Sequence, residues 1–305
     1  MEKLNYFYND YFDYNMLECA IQDIKSRYDF IDISTIGKSI FGRRIARITL
    51  GHGNKSVIYI GAHHGMEWIT SAILIKFIDD YAKEFQNGHQ AFDISTRVLY
   101  ETRKIHIIPM LNPDGIDYAI HGIDQNNVMK DRLLKMNSNS KDFSKWQANA
   151  RGVDLNHNYS FGFEEYKIIE KDLGISNGAP TKFSGEYSES EPETSSLCNF
   201  VRLEKPHLAL SLHTQGEEIY YTSGDKMAVN SLPIVKTLSR LTGYKISIPT
   251  GTACFGGFTE WFINEFNRPS FTLECGLGTN PLPFNNLDKI YSSLKRALFT
   301  APILI

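Results

Sequence analysis

The chain has 305 residues, 42% of them hydrophobic, and a formal net charge of −3 with both signs scattered along its length. That length suits two small domains or one large α/β domain, and the apolar share is enough for a sizeable core. The charge balance argues against the broad basic surface that nucleic acid or an anionic membrane calls for, so neither is expected as a partner, although single basic pockets stay open.

The start, Met1 to Tyr6, is polar and aromatic and leads into no apolar signal-like region; no apolar run is long enough to span a bilayer. Four widely separated cysteines (Cys19, Cys198, Cys254 and Cys275) form no CxxC pair and read as buried thiols. A cytoplasmic, reduced protein is the simplest expectation. An exported chain trimmed of its signal would look the same.

Met16, Leu17, Ile21 and Ile24 recur at helical spacing, and Ile31-Asp32-Ile33 then alternates as a strand does. Residues 1–35 are therefore expected to form a helical lead-in that belongs to the main domain. Ser56 to Gly61 is a short apolar run ending in glycine, which suits a strand buried on both faces. After it, Ile69, Ile73, Phe77 and Tyr81 recur every four residues and predict an amphipathic helix. Further strands are expected at Lys104–Pro109, Leu208–Leu212 and Ser270–Glu274, with helices around Leu232 to Leu238 and Leu287 to Leu298. Strands alternating with helices imply a layered α/β sheet. No Gly/Ser/Pro linker or repeat divides the chain, so one domain spanning 1–305 is expected. The polar segment from His121 to Arg151 has no sustained periodicity beyond a short turn near Arg132. It reads either as a wall of an active-site funnel or as a tolerated surface insertion.

His64-Gly65-Met66-Glu67 sets an imidazole three residues before a carboxylate, just where a buried strand ends. Ligands collect at strand ends in open α/β sheets because side chains leave the core there. Two histidines and one carboxylate hold zinc with a fourth position left for water, the arrangement of a hydrolytic site. His213 closes the strand Leu208–Leu212 in the same manner and is the candidate third ligand. His63 competes with His64 for the first position. Four further segments accompany these: Asn112-Pro113-Asp114-Gly115, Gly152 to Asn158, Gly256 to Trp261, and Phe271 to Gly276, which places Glu274 at a strand end.

With those motifs in order, the chain resembles the M14 family of zinc carboxypeptidases from about Ile36 to the C-terminus. The family's His-x-x-Glu-Trp segment is matched by His64 to Trp68, its NPDG turn by Asn112 to Gly115, and its Phe-Thr-x-Glu strand by Phe271 to Glu274. The segment Trp146 to Tyr159 looks most like the bacterial branch of γ-D-glutamyl-L-diamino acid endopeptidases, which act on peptidoglycan peptides. The resemblance implies a single-domain zinc-carboxypeptidase-like fold: a mixed, mostly parallel twisted sheet with helices on both faces. It also implies one Zn2+ per chain on His64, Glu67 and His213, and Glu274 as the general base that takes a proton from zinc-bound water and passes it to the leaving amine.

The resemblance assigns oxyanion stabilisation to an arginine, for which Arg151 is the candidate and Arg132 the runner-up. Digestive members clamp the substrate's terminal carboxylate with an Asn-Arg pair, and Asn156 and His157 occupy those positions here. Replacing a forked guanidinium by imidazole removes the strongest carboxylate clamp. That departure points to a muropeptide stem peptide, cut at the γ-D-glutamyl–meso-diaminopimelate bond. A general metallocarboxypeptidase and a non-catalytic cell-wall-peptide binding module are the alternatives, with a related zinc amide hydrolase third. Thr252 stands where the family has its capping tyrosine, and Thr259 is expected near the base of the pocket for the leaving residue.

Overall fold

The computed structural model describes Phe7 and residues 9–305; the polar start, Met1 to Tyr6, lies outside the described residues. In chain order the elements begin α1 (Tyr14–Arg27), β1 (Asp32–Lys38), β2 (Arg44–Leu50), β3 (Lys55–Gly61) and α2 (Ile69–Gln86). A small hairpin, β4 (Gln90–Ala91) and β5 (Ile94–Ser95), leads to α3 (Thr96–Thr102), β6 (Arg103–Ile108), α4 (Pro113–His121), α5 (Lys130–Met136) and α6 (Phe163–Asp172). The second half holds α7 (Pro192–Glu204), β7 (Leu208–His213), β8 (Glu218–Tyr220), α8 (Ser231–Thr242), β9 (Lys245–Ser247), α9 (Phe258–Phe266), β10 (Ser270–Glu274) and α10 (Leu287–Thr300).

Eight strands form one sheet in the order β1-β2-β6-β3-β7-β10-β8-β9. Its centre, β6 through β10, is parallel, while β1-β2, β2-β6 and β10-β8 are antiparallel. Alternate side chains of β3 enter different cores. Val57 and Tyr59 join α1, α2, α8 and α10, whereas Ile58 and Ile60 join α7 and α9. Coverage on both faces is why these strands read as unbroken apolar runs. The result is a single α/β domain with a mixed, mostly parallel sheet, and among the described residues no helix is long and apolar enough to cross a membrane.

Two local signals explain α4. Asn112 accepts at its Oδ1 from the Gly115 amide, and Pro113 takes the first helical position, where a missing N–H costs nothing. The segment from His121 to Arg151 carries a real helix, α5, and its own small core: Leu133, Phe143, Trp146, Ala148 and Ala150 pack with Tyr118. Its far end meets the loop after β3, where the Gly65 amide donates to the Gln147 carbonyl at 2.9 Å. The four cysteines are free, as expected, but not all are buried. Cys19 is exposed, because the buried stripe of α1 runs through Leu17, Ala20, Ile21 and Ile24 and leaves position 19 on the opposite side.

Candidate metal centre and active site

β3, β7 and β10 are neighbours and run parallel, so their C-terminal ends open on one edge of the sheet. His213 ends β7 and sits in register with Glu274, which ends β10. Beyond β3, Ala62 takes a left-handed conformation (φ 53°), and its amide is held by Thr70 Oγ1 at 2.9 Å. The chain then makes one tight turn, Gly65–Glu67, before α2 begins. This turn is what carries His64 and Glu67 to the end of β7.

Three donor atoms meet there. His64 Nδ1 lies 2.9 Å from Glu67 Oε1 and 3.3 Å from His213 Nδ1, and His213 Nδ1 lies 3.1 Å from Glu67 Oε2. Tetrahedral zinc with bonds of about 2.0–2.1 Å spaces its ligand atoms roughly 3.3 Å apart. The triad therefore needs only a few tenths of an ångström of adjustment to hold one ion. Its electrostatics ask for a cation. Burial alone would lower His64, yet the Glu67 and Asp154 carboxylates outweigh it and push the imidazole well above its ordinary range. Burial would likewise raise Glu67, but the neighbouring histidines, His64 foremost, hold it down at about 2. A proton on His64 and a divalent metal compete for the same place, and the metal needs the imidazole neutral.

His63 is not part of this triad. It is fully buried, with Nε2 2.8 Å from the Tyr159 hydroxyl and Nδ1 3.3 Å from Ser211 Oγ. Ser211 Oγ also lies 3.1 Å from His213 Nε2, so a buried polar chain runs from Tyr159 through His63 and Ser211 to the back of His213. The competition between His63 and His64 is thus decided by packing.

Asp154, within the segment Gly152 to Asn158, lies behind His64 and is a site residue that the motif alone does not reveal. Its Oδ1 lies 3.2 Å from His64 Nε2 and accepts from the Asn156 amide at 3.2 Å. Its Oδ2 accepts from the Lys182 amide at 2.9 Å and from Thr181 Oγ1 at 3.2 Å. A carboxylate can only accept, so it fixes the Nε2–H tautomer and leaves the Nδ1 lone pair facing the triad. Asn112 ties the scaffold together by donating from Nδ2 to the carbonyls of His63 and Ala148 at 3.0 and 3.1 Å. Gly65 is required here. A Cβ on it would stand 2.4 Å from the Gly115 carbonyl oxygen.

Glu274 faces the triad from the next strand. Burial raises its carboxyl to about 8, the Glu67 charge adds to the rise and the His64 charge opposes it. A divalent ion in the triad would draw it back toward ionisation at neutral pH. Arg151 is placed differently. Its guanidinium lies 3.7 Å from Glu191, its side chain is 47% exposed, and it is not among the charges that most shift His64, Glu67 or Glu274. Arg132 donates to the Asn177 carbonyl at 3.3 Å.

Asn156 Oδ1 accepts from the Phe258 amide at 3.1 Å, which joins the Asp154 loop to the start of α9. His157 stacks on Tyr166 with ring centroids 4.0 Å apart, and Nδ1 donates to the Phe255 carbonyl at 2.9 Å. Burial lowers its pKa. With the proton on Nδ1 committed to that carbonyl, the neutral ring carries its lone pair on Nε2. Thr259 is buried and bonds Thr272 Oγ1 at 2.8 Å. The partly exposed Thr272 is therefore the outer hydroxyl of that pair.

A family profile described as "Zinc carboxypeptidase" (Peptidase_M14) matches residues 17–293. Gamma-D-glutamyl-L-diamino acid endopeptidase 1 of Lysinibacillus sphaericus is 34% identical over 281 residues, covering 92% of this chain and 69% of that protein. Bovine thrombin-activatable fibrinolysis inhibitor, solved in complex with tick carboxypeptidase inhibitor, has the same fold, with a TM-score of 0.71 at 19% identity and 98% of each chain covered. The murein-tripeptide amidase MpaA of Escherichia coli O157 superposes with a TM-score of 0.57 at 17% identity, covering 88% of this chain and 91% of that one. A match of that extent, on a fold that brings His64, Glu67 and His213 within bonding reach of one ion, makes the chain a member of the M14 zinc carboxypeptidase family and a zinc metallopeptidase.

Proposed function

We propose that the protein hydrolyses peptidoglycan stem peptides at the bond between γ-D-glutamate and a diamino acid, meso-diaminopimelate foremost. The observation that carries this reading is His157. By the motif resemblance, this neutral imidazole takes the place of the cation with which a general carboxypeptidase holds the substrate's terminal carboxylate. The 34% identity to the Lysinibacillus endopeptidase over nearly the whole chain supports the same substrate class.

In this reading His64, Glu67 and His213 would hold one zinc, which would supply Lewis acidity and an acidified water. Asp154 keeps His64 oriented. Glu274 takes the water's proton and returns it to the leaving amine, which moves one proton from attacking oxygen to departing nitrogen with no net change in the enzyme. Arg151 is the proposed source of positive charge for the developing oxyanion; its pair with the buried Glu191 is long, at 3.7 Å, and Glu191 keeps Asn149 and Ser190 as hydrogen-bond donors if the guanidinium turns to substrate. Asn156, His157 and Thr259 are the proposed substrate-side residues. Four free cysteines, one of them exposed, suit a reducing compartment such as the cytoplasm.

Zinc-loaded protein incubated with L-Ala-γ-D-Glu-meso-diaminopimelate should release meso-diaminopimelate, read by mass spectrometry. Intact stem peptide alongside steady trimming of an ordinary C-terminal peptide would instead establish the general carboxypeptidase.

A further inference from the structure

One strand beyond Glu274 the sheet carries a charged recess that the mechanism above does not use. β8 lies antiparallel to β10, with Glu218 opposite Glu274 and Tyr220 opposite Thr272. β9 lies parallel to β8, with Lys245 opposite Glu218 and Ser247 opposite Tyr220. Residues opposite one another across a ladder share a face, so these side chains continue the face on which Glu274 and Thr272 stand. The recess has a volume of about 540 Å³, and Glu218, Tyr220, Lys245, Ser247, Ile248 and Thr250 are among its lining residues.

Its polar groups are only partly committed. Tyr220 donates its hydroxyl to Glu218 Oε2 at 3.0 Å. Lys245 Nζ stands 3.7 Å from Glu218 Oε1, beyond hydrogen-bond length, on a side chain that is 75% exposed. An ammonium and a carboxylate are thus set side by side without a bond between them, next to the carboxylate that would protonate the leaving amine. Glu218 and Tyr220 line the recess and are the ladder partners of Glu274 and Thr272, so the recess adjoins the strand that carries Glu274. A ligand bearing both charges on one carbon matches this pair in reverse: its carboxylate meets Lys245, and its ammonium meets Glu218.

We propose that the recess receives the free amino and carboxyl groups at the far end of the leaving diamino acid, with Lys245 binding the carboxylate and Glu218 and Tyr220 binding the amino group. The inference rests on the peptidoglycan reading above and adds to it a means of telling diaminopimelate from lysine. Lysine has the same carbon chain and distal ammonium but lacks the distal carboxylate, so the two differ only in the group assigned to Lys245.

Hydrolysis of L-Ala-γ-D-Glu-meso-diaminopimelate and L-Ala-γ-D-Glu-L-Lys by the zinc-loaded wild type, Lys245→Met and Lys245→Arg, together with calorimetric titration by free meso-diaminopimelate and L-lysine, tests this. Lys245→Met should lower kcat/KM for the diaminopimelate peptide about tenfold, mostly through KM, the scale of one charge-assisted contact near a surface. It should not lower kcat/KM for the lysine peptide, whose ammonium meets Glu218 alone, and Lys245→Arg should restore the difference. An unchanged preference in Lys245→Met, or an equal fall for both peptides, overturns the assignment while the proposed function stands. If wild type cleaves neither peptide, the proposed function falls; tighter binding of free meso-diaminopimelate than of L-lysine, lost in Lys245→Met, then upholds the recess, and equal binding overturns it as well.

Discussion

Replacing Asp154 with asparagine should weaken zinc binding while sparing the fold. Asp154 accepts four contacts, two on each oxygen: His64 Nε2 and the Asn156 amide on one, the Lys182 amide and Thr181 Oγ1 on the other. An asparagine has one oxygen. Either its amino group faces His64 and Asn156, or it faces Lys182, so one donor is always set against another donor. The gentler orientation keeps the His64 contact but loses the negative charge that raises the basicity of the imidazole. Changes to such supporting partners cost about 10–100-fold in metal affinity, or roughly 1.4–2.7 kcal/mol. Competition against a chromophoric chelator gives the zinc dissociation constant, and a circular-dichroism melt of each metal-free protein checks the fold. With melts within a few degrees, a variant that binds zinc as tightly as wild type would refute the claim that Asp154 orients a ligand.

Glu274→Gln should retain one zinc per chain yet lose about 10³-fold in kcat, the scale of a missing general base; zinc stoichiometry by atomic absorption and turnover of the stem peptide separate the two properties. Glu193 is fully buried beside Asp114 and Glu191, and burial foremost raises its pKa from 4.5 to about 8. The folded chain thus holds this proton where the unfolded chain has released it, so stability falls as pH rises from about 4.5 to about 8. Glu193→Gln should therefore melt like wild type near pH 5 but be more stable near pH 8.5 by roughly 2 kcal/mol after relaxation; equal melting at the higher pH would contradict it. Gly65→Ala should destabilise by roughly 2–3 kcal/mol in urea denaturation, because its Cβ would meet backbone oxygens of Gly115 and Trp146 at 2.4 and 2.9 Å, with side-chain rotation unable to relieve either contact.

His213 and Glu274 were legible because each ends an apolar run, and His64 and Glu67 because they follow one within a short turn; a buried parallel strand has a recognisable pattern whatever surrounds it. The choice between His63 and His64 was not local. It depends on Tyr159 and Ser211, 96 and 148 residues away, which claim both nitrogens of His63. Asp154 escaped for the same reason: its motif was visible, but its partner lies 90 residues upstream. The small core under α5 draws on Tyr118 from outside the segment, so Leu133, Phe143 and Trp146 show no period of their own. β8 and β9 have three residues each, too few to display alternation. Pro192 at the first turn of α7 was a usable helix signal that the apolar pattern alone did not bring out.

The placement of these features divides the sheet into a stiff spine and a pliable margin. β3, β7 and β10 are flanked by strands on both sides and covered on both faces, so the groups that handle bond cleavage cannot drift without disturbing the whole domain. β9 closes the sheet and has a neighbour on one side only. Exchanges at Lys245 or Ser247 meet few obligations there. A lineage could change which peptide it digests by rewriting that border, and its hydrolytic engine would be untouched.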